Sequence, residues 1–573
     1  MREERDEVPE IAASEEASSI PLALAGDDRN LLVTLEAFLS RASPAGPCRI
    51  LDGWLREPAD PLPAATVFLP SRDPFSGEAM GAAVAAAKGW AAAGLEQLIL
   101  VSSAQANEPS HRHAGMLSEA RLRTSKPGNA IAARWLELEE RLLRAVEGTA
   151  TVITVLRPAA LPIPGGRDIF TRRLSGSWAA ALPGFNPPLQ LLHPEDLAAA
   201  VVAAAEARRP GTFNVVPRGV IPLRGALRRG GLKRVPLPAF LHPRGRGSKV
   251  SGAAEAAYLR YPWTVCGGKI RRELGFEPRH GSTDTLRWLR PAAQRDPEQA
   301  SDFDPFGMDR DYVRRLGRTL FRFLHDRYWR IEWQGSEHVP RQGRAVLTGI
   351  HRGHQPWDGV MLLHHLVQEL DRFPRFLIHP ALVKYPFLAP YMRGCGGILA
   401  CRENGARVLE EDELLGIFPE GIRGAFAAYR DAYRLHSFGR HDYVKFALCH
   451  RAPIVPFVTI GSAEIFPILA KLRWRWWQRA SEWPCLPITP TFSLLPLPSK
   501  WHTVFLPPVP VHEQFPPEAA KDSKTVAAIS GRIQSLMQAT LDDLRSRRRS
   551  IFWGSIFEGE APRRARQAGD HEP

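Results

Sequence analysis

Two residues seven positions apart, His351 and Asp358 in the stretch AVLTGIHRGHQPWDGVM, are of types that suit one chemistry. Neutral imidazole takes a proton from a hydroxyl near pH 7, and a carboxylate on its other nitrogen fixes the tautomer and stabilises the imidazolium that forms. A second histidine, His354, lies nearer to Asp358 in the chain and is a rival for the same role. Alone, such a pair reads more readily as a helix cap beside a core histidine. The elements around it and the sequence downstream reverse that balance.

The run Ala345–Ile350 is short and apolar, which predicts a buried strand. The chain breaks at Gly353 and Pro356 and restarts as a helix, with Asp358 at the expected N-cap and Val360 to Leu363 behind it. His351 would then stand at a strand end, where a crevice admits ligand while the sheet holds side chains still. Downstream, Phe376 to Ile378 reads as a strand, and Gly394 to Arg402 as a Gly-rich strand ending in a cation. Glu413 to Phe418 is a further strand, running into Pro419-Glu420-Gly421-Ile422-Arg423. Upstream, Tyr312 to Trp329 places Val313, Leu316, Leu320, Phe321 and Leu324 at helical spacing among arginines, an amphipathic helix with a basic face.

At 573 residues the chain is too long for one core, and its 44% hydrophobic and 24% charged content is that of a folded protein. Its 6 cysteines form no close pair, which points away from disulfides and zinc and towards a reducing compartment. A net charge of +14 fits nucleic acid or an anionic membrane surface. No helix-turn-helix, zinc-finger or RNA-binding signature accompanies it, so no nucleic acid partner is expected. The charged start, Met1 to Glu7, is not the start of a secretory leader, and no apolar run approaches the roughly 20 residues that span a bilayer. Trp474, Trp476 and Trp477 interleave with Arg473, Arg475 and Arg479, a pattern that favours an anionic membrane surface, and Arg545 to Arg549 adds charge. The expected location is cytoplasmic, peripheral on the inner face of the membrane.

From Pro21 the N-terminal half alternates strands and helices, which predicts a parallel α/β sheet. The runs LILVSSAQANEP, TVITVLRPAALPIPGG, LLHPEDLAAAVVAA, GTFNVV and KIRRELGFEPRH resemble extended short-chain dehydrogenases of the NAD-dependent epimerase branch, over roughly Pro21 to Leu289. That resemblance implies a Rossmann-like fold, but the family's chemistry does not carry over. Its glycine-rich turn reads here Gly26-Asp27-Asp28-Arg29-Asn30-Leu31-Leu32, with one glycine where three are expected, and two acids where a pyrophosphate would sit. Its Tyr-x-x-x-Lys pair is absent from Asn129 to Leu136, and Ser102 and Ser103 cannot act alone. The half reads as a pseudoenzyme domain that binds no NAD(P).

The C-terminal half resembles the lysophospholipid acyltransferase superfamily, in its bacterial monoacylglycerol-acyltransferase-like branch, over about Phe306 to Pro510. Four blocks carry this: GIHRGHQPWDGVML, GGILACREN, FPEGIRG and APIVPFVTIG. The resemblance implies His351 as general base on the acceptor hydroxyl and Asp358 as its orienting acid. It also implies Arg402 as a head-group contact and Glu420 and Gly421 as acceptor pocket, with Arg423 an added cation. Two departures stand out: six residues separate His351 from Asp358 where the superfamily at large has four, and Ile350 replaces the usual Asn.

The expected architecture is α/β throughout, an N-terminal Rossmann-like parallel sheet followed by a C-terminal α/β acyltransferase domain. The expected map is a disordered leader at 1–20, a dehydrogenase-like domain at 21–295, a linker at 296–304, an acyltransferase domain at 305–545 and a basic tail at 546–573. The expected function is transfer of a fatty acyl group from acyl-CoA or acyl-carrier protein to a lysophospholipid or acylglycerol-like lipid, with no resident cofactor and no metal. The alternatives are an NAD(P)-dependent oxidoreductase or epimerase in the N-terminal half, and a non-catalytic lipid-binding scaffold.

Overall fold

Short, mainly apolar runs such as Leu22–Gly26, Gln97–Val101 and Ala345–Gly349 become strands buried along their whole length, as parallel strands covered on both faces must be. The computed structural model describes residues 21–42, 48–51, 63–70, 77–120, 127–166, 168–238, 241, 252–291, 303–439 and 441–557. The expected leader lies outside these residues, as do 296–302 of the expected linker and 558–573 of the expected tail. The chain divides into two units: Met1–Pro109, Leu117–Leu182 and Pro188–Arg295 in one, and Ser110–Met116, Pro183–Pro187 and Asp296–Pro573 in the other.

The N-terminal unit runs β1 (Leu22–Gly26), α1 (Arg29–Ala42), β2 (Arg49–Leu51), β3 (Ala65–Leu69), α2 (Gly77–Ala92), β4 (Gln97–Val101), α3 (Ala130–Val146), β5 (Val152–Pro158), α4 (Pro194–Ala207) and β6 (Gly211–Val215). Its main sheet is wholly parallel in the order β2-β1-β3-β4-β5-β6. The chain winds outward from β1 to β2, then crosses to β3 on the opposite side. That reversal at β1 is the switch point of a Rossmann-like sheet. Leu31, Leu35 and Leu39 of α1 and Leu197, Val201 and Ala204 of α4 belong to its core.

The C-terminal unit starts with α5 (Arg310–Leu316), which continues through π-helical turns at Gly317–Phe321 and Leu324–Tyr328. These wider turns shift the register of the expected amphipathic stripe. Val313, Phe321 and Leu324 enter the core, while Leu320 turns out to 44% exposure.

Then come β7 (Glu332–Gln334), β8 (Ala345–Gly349), α6 (Trp357–Leu370), β9 (Arg375–Ile378), α7 (Leu388–Gly394), β10 (Gly397–Leu399), α8 (Arg402–Glu410), β11 (Leu414–Ile417), α9 (Gly421–Ala425), α10 (Asp442–Cys449), β12 (Ile454–Ile460), β13 (Ala470–Leu472), α11 (Arg475–Ser481), β14 (Leu486–Ile488), β15 (His502–Phe505) and α12 (Ser523–Arg547). Seven strands form one mixed sheet, β7-β15-β12-β8-β11-β9-β10, in which the β12–β15 pair is antiparallel. Successive residues of β8 feed opposite faces: Ala345 and Leu347 join one apolar cluster, and Val346, with Ile350 just past the strand, the other. The expected Gly-rich strand at Gly394 to Arg402 is split. Gly396 turns the chain with φ +81°, β10 keeps three residues, and Arg402 opens a helix instead of ending a strand. Among the described residues no helix is long and apolar enough to cross a membrane.

Candidate active site

At the end of β8 the chain turns through Gly353, held at φ +78°, and enters α6 at Trp357. Pro356 occupies the N-cap position and makes no side-chain cap, so Asp358 lies inside the first turn, one residue beyond Trp357. This corrects the expected cap and frees the carboxylate for other partners. His351 Nδ1–H donates to Asp358 Oδ2 at 2.8 Å, and the Arg352 backbone N–H donates to the same oxygen at 3.0 Å. The other oxygen, Oδ1, is buried without a hydrogen-bond partner. The pairing places the proton on Nδ1 and leaves Nε2 of His351 with the lone pair a base needs.

His354, the rival, is differently placed. Its backbone takes φ +50°, and its Nδ1 is buried without a partner. Burial, reinforced by repulsion from His351, pushes its pKa down to about 4, so its ring is neutral at pH 7 and no carboxylate orients it.

A feature passed over in the sequence organises the rest. Arg352, 2% exposed, sends Nη1 to Glu420 Oε2 at 2.6 Å and Nη2 to Glu420 Oε1 at 3.2 Å. Its remaining donors reach the carbonyls of His351, Ala432 and Arg434, and the His436 N–H donates to Glu420 Oε1 at 2.6 Å. This buried, fully bonded pair clamps the HRGHQPWDG block to the FPEG block. The signal was present: the third block carries an acid at a strand end, and an arginine follows His351 directly.

His351 lines a cavity of about 650 Å³, within the size range of ligand sites, whose walls include Phe376, Leu382, Met392, Phe418 and Ile422. The Phe418 ring centroid lies 5.2 Å from that of His351. Glu420, Gly421 and Arg423 also line it. Gly421 holds φ +58°, and nothing lies within 4 Å of where its Cβ would be. Arg423 is exposed, and no described carboxylate pairs with it. Arg402 is not among the lining residues; its side chain is 74% exposed and lies 3.6 Å from Asp442, which does line the cavity. The structure therefore brings His351, Asp358, Glu420, Gly421 and Arg423 together and leaves Arg402 at the outer rim.

In the N-terminal unit the corresponding turn after β1 makes hydrogen bonds of its own. Asp28 Oδ1 accepts the Leu31 N–H at 3.2 Å, one of the amides that a phosphate would take at a helix start. Asn30 Nδ2 donates to the Gly165 carbonyl at 2.8 Å, across the turn. Leu32 points into the core and does not cover the turn. Ser102 donates to Glu139, which forms a buried ion pair with Arg157, and Ser103 accepts from the Gln105 N–H. Among the described residues one group could hold a metal ion, His193, Glu195 and His280. Its two imidazoles stack at 4.1 Å and 19°.

The acyltransferase family model matches residues 330–460. An uncharacterized protein of Mycobacterium tuberculosis is 35% identical over 259 residues, 44% of this chain and 72% of that protein. An uncharacterized Mycobacterium leprae protein is 33% identical over 259 residues, 44% of this chain and 70% of that protein. Among solved structures, a human epimerase family protein determined with NADPH is 18% identical and covers 48% of this chain and 100% of its own, with TM-score 0.37. UDP-glucuronic acid 4-epimerase from Bacillus cereus is 12% identical, covers 48% and 98%, and has TM-score 0.38. The matched span contains β8, the His351–Asp358 pair and the Arg352–Glu420 clamp, and the C-terminal unit thus carries a domain of the acyltransferase family.

Proposed function

We propose that the C-terminal unit transfers a fatty acyl group from a thioester donor, acyl-CoA or acyl-carrier protein, to the hydroxyl of a lysophospholipid or acylglycerol-like lipid. The observation that carries this reading is the 2.8 Å His351–Asp358 pair at a strand end inside a mainly apolar cavity of about 650 Å³. Nε2 of His351 takes the acceptor proton as its oxygen attacks the thioester carbonyl. The C–S bond breaks, the ester forms, and the departing thiolate takes the proton back from the imidazolium. Asp358 stabilises the ring while it is charged. Apolar walls exclude the water that would hydrolyse the donor.

Arg423 is the cation offered to an anionic head group, with Arg402 further out at the rim. Gly421, with open space where a side chain would be, leaves room for the acceptor. Glu420 acts through Arg352 as a positioning residue. The N-terminal unit serves as a scaffold without bound nucleotide, a reading supported by the occupied helix amide and the Asn30 bridge.

The test is acyl-CoA transfer to a panel of lyso-lipids and alcohols. His351→Ala is expected to lose about 10²–10⁴-fold in rate, the usual contribution of a general base. His354→Ala should remain within about tenfold of the wild type. Equal losses in both variants, or none in His351→Ala, would sink the assignment.

A further inference from the structure

Between Ile465 and Lys500 the chain leaves the seven-stranded sheet and builds a small projection. β13 and β14 pair antiparallel, α11 lies between them in sequence, and the loop Thr489–Leu497 follows. Its surface is apolar to an unusual degree: Leu494 is 81% exposed, Phe492 76%, Leu495 70%, Leu469 64%, Trp476 63% and Trp474 47%. Exposed side chains of this size normally occur singly, and a concentration of them marks an interaction site. Lys471, Arg473, Arg475 and Arg479 interleave with them, and the one acid of the stretch, Glu482, lies 3.3 Å from Lys384 Nζ.

Two further observations connect the projection to the site. A second cavity of about 320 Å³ opens in it, lined by Trp477, Leu486, Ile488 and Phe492, and it shares His354 and Trp483 with the larger cavity. Gln355, in the loop between His351 and Asp358, donates through Nε2 to the Ser493 carbonyl at 3.0 Å. At that contact Phe492 and Ser493 both hold left-handed backbone, φ +49° and +63°, which persists only where the surroundings enforce it.

We infer that this projection seats on an anionic bilayer and that the smaller cavity is the port by which a lipid acceptor passes from the bilayer towards His351. Tryptophan settles at the headgroup layer, leucine and phenylalanine go below it, and arginine pairs with lipid phosphate. Cations nearly free of acids and interleaved with exposed tryptophans match an anionic headgroup layer over an apolar interior. Seating stands on exposure and charge alone; the port rests on the acyl-transfer reading.

The experiment uses the full chain, sedimented with vesicles of phosphatidylcholine alone or mixed with phosphatidylglycerol. The wild type is expected to partition preferentially to the mixed vesicles. Arg473→Gln/Arg475→Gln/Arg479→Gln should lose about a hundredfold in that partition, at roughly fivefold per cation. Leu494→Ser/Leu495→Ser should lose at least about tenfold on both vesicle types. Wild type left in the supernatant, or variants that sediment like it, overturn the seating. For the port, Leu494→Ser/Leu495→Ser should slow transfer to an acceptor held in vesicles and leave transfer to a short-chain acceptor dissolved in water unchanged; equal loss on both overturns it. Absence of transfer to either acceptor by the wild type would instead be a failure of the acyl-transfer reading, and sedimentation would still decide the seating.

Discussion

Both units place a loop at the C-terminal end of a central parallel strand, and the two loops were put to opposite uses. After β1 the chain closes on itself: Asp28 takes a helix amide and Asn30 ties the turn to Gly165. After β8 it opens: Asp358 declines the cap, binds His351, and leaves a ring nitrogen with its lone pair beside a cavity. Each unit also buries an arginine–glutamate pair, Arg157–Glu139 and Arg352–Glu420. In the first the pair absorbs a serine hydroxyl; in the second it holds two sequence blocks around the histidine. The same sheet physics supports both outcomes, and the side chains at the strand end decide which.

The sharpest way to break this comparison is to disturb the two loops separately. Asp358→Asn keeps the shape but accepts and donates differently, so His351 takes the wrong tautomer; kcat should fall about 10²–10⁴-fold. Asp28→Ala and Asn30→Ala in the other loop should leave transfer unchanged in the same assay. Were they to abolish it, the N-terminal crevice would have a share in the chemistry.

Next in size are the ion pairs. Arg352→Met and Arg157→Met each strand a buried carboxylate, and each should cost about 3–5 kcal/mol, read from denaturant unfolding. At temperatures where both variants stay folded, the first should also reduce transfer and the second should not.

Acid should distinguish the units gradually, over a range of pH. Burial, with like charges nearby, pushes His354 and His364 down to about 4 and His365 to about 3, all three in the C-terminal unit. These rings stay neutral in the fold while the unfolded chain takes up protons below about pH 6.5. The unfolded state therefore binds more protons in that window, and stability falls as pH drops from about 6.5 towards 4, by about 1.4 kcal/mol per pH unit for each ring. Amide exchange across this range should show the C-terminal unit loosening first; the N-terminal unit loosening first would refute the sign.

The smallest effect concerns Ser102. Ser102→Ala removes one neutral donor to Glu139 and should cost about 1 kcal/mol with no change in transfer. An NADPH titration followed by fluorescence should show no saturable signal; saturation would place a working nucleotide site in the N-terminal unit.

Much of this was written locally in the chain. The strand at Ala345, the break at Gly353 and Pro356, and the helix behind Asp358 follow from hydrophobic runs and breakers, which act over a few residues. The four blocks likewise identify the acyltransferase half, and the first turn of the other half carries a single glycine.

What the chain alone could not fix depends on partners far away in sequence. Whether Asp358 caps a helix or holds His351 was decided by where Pro356 fell once α6 had formed. Arg352 and Glu420 stand 68 positions apart, Gln355 and Ser493 138 apart, and no periodicity reports contacts at such separations. Arg402 looked like a strand end until Gly396 turned the backbone and made it the start of a helix. Local propensity sets which elements form; burial and charge pairing, available only after the chain has closed on itself, set which side chains meet.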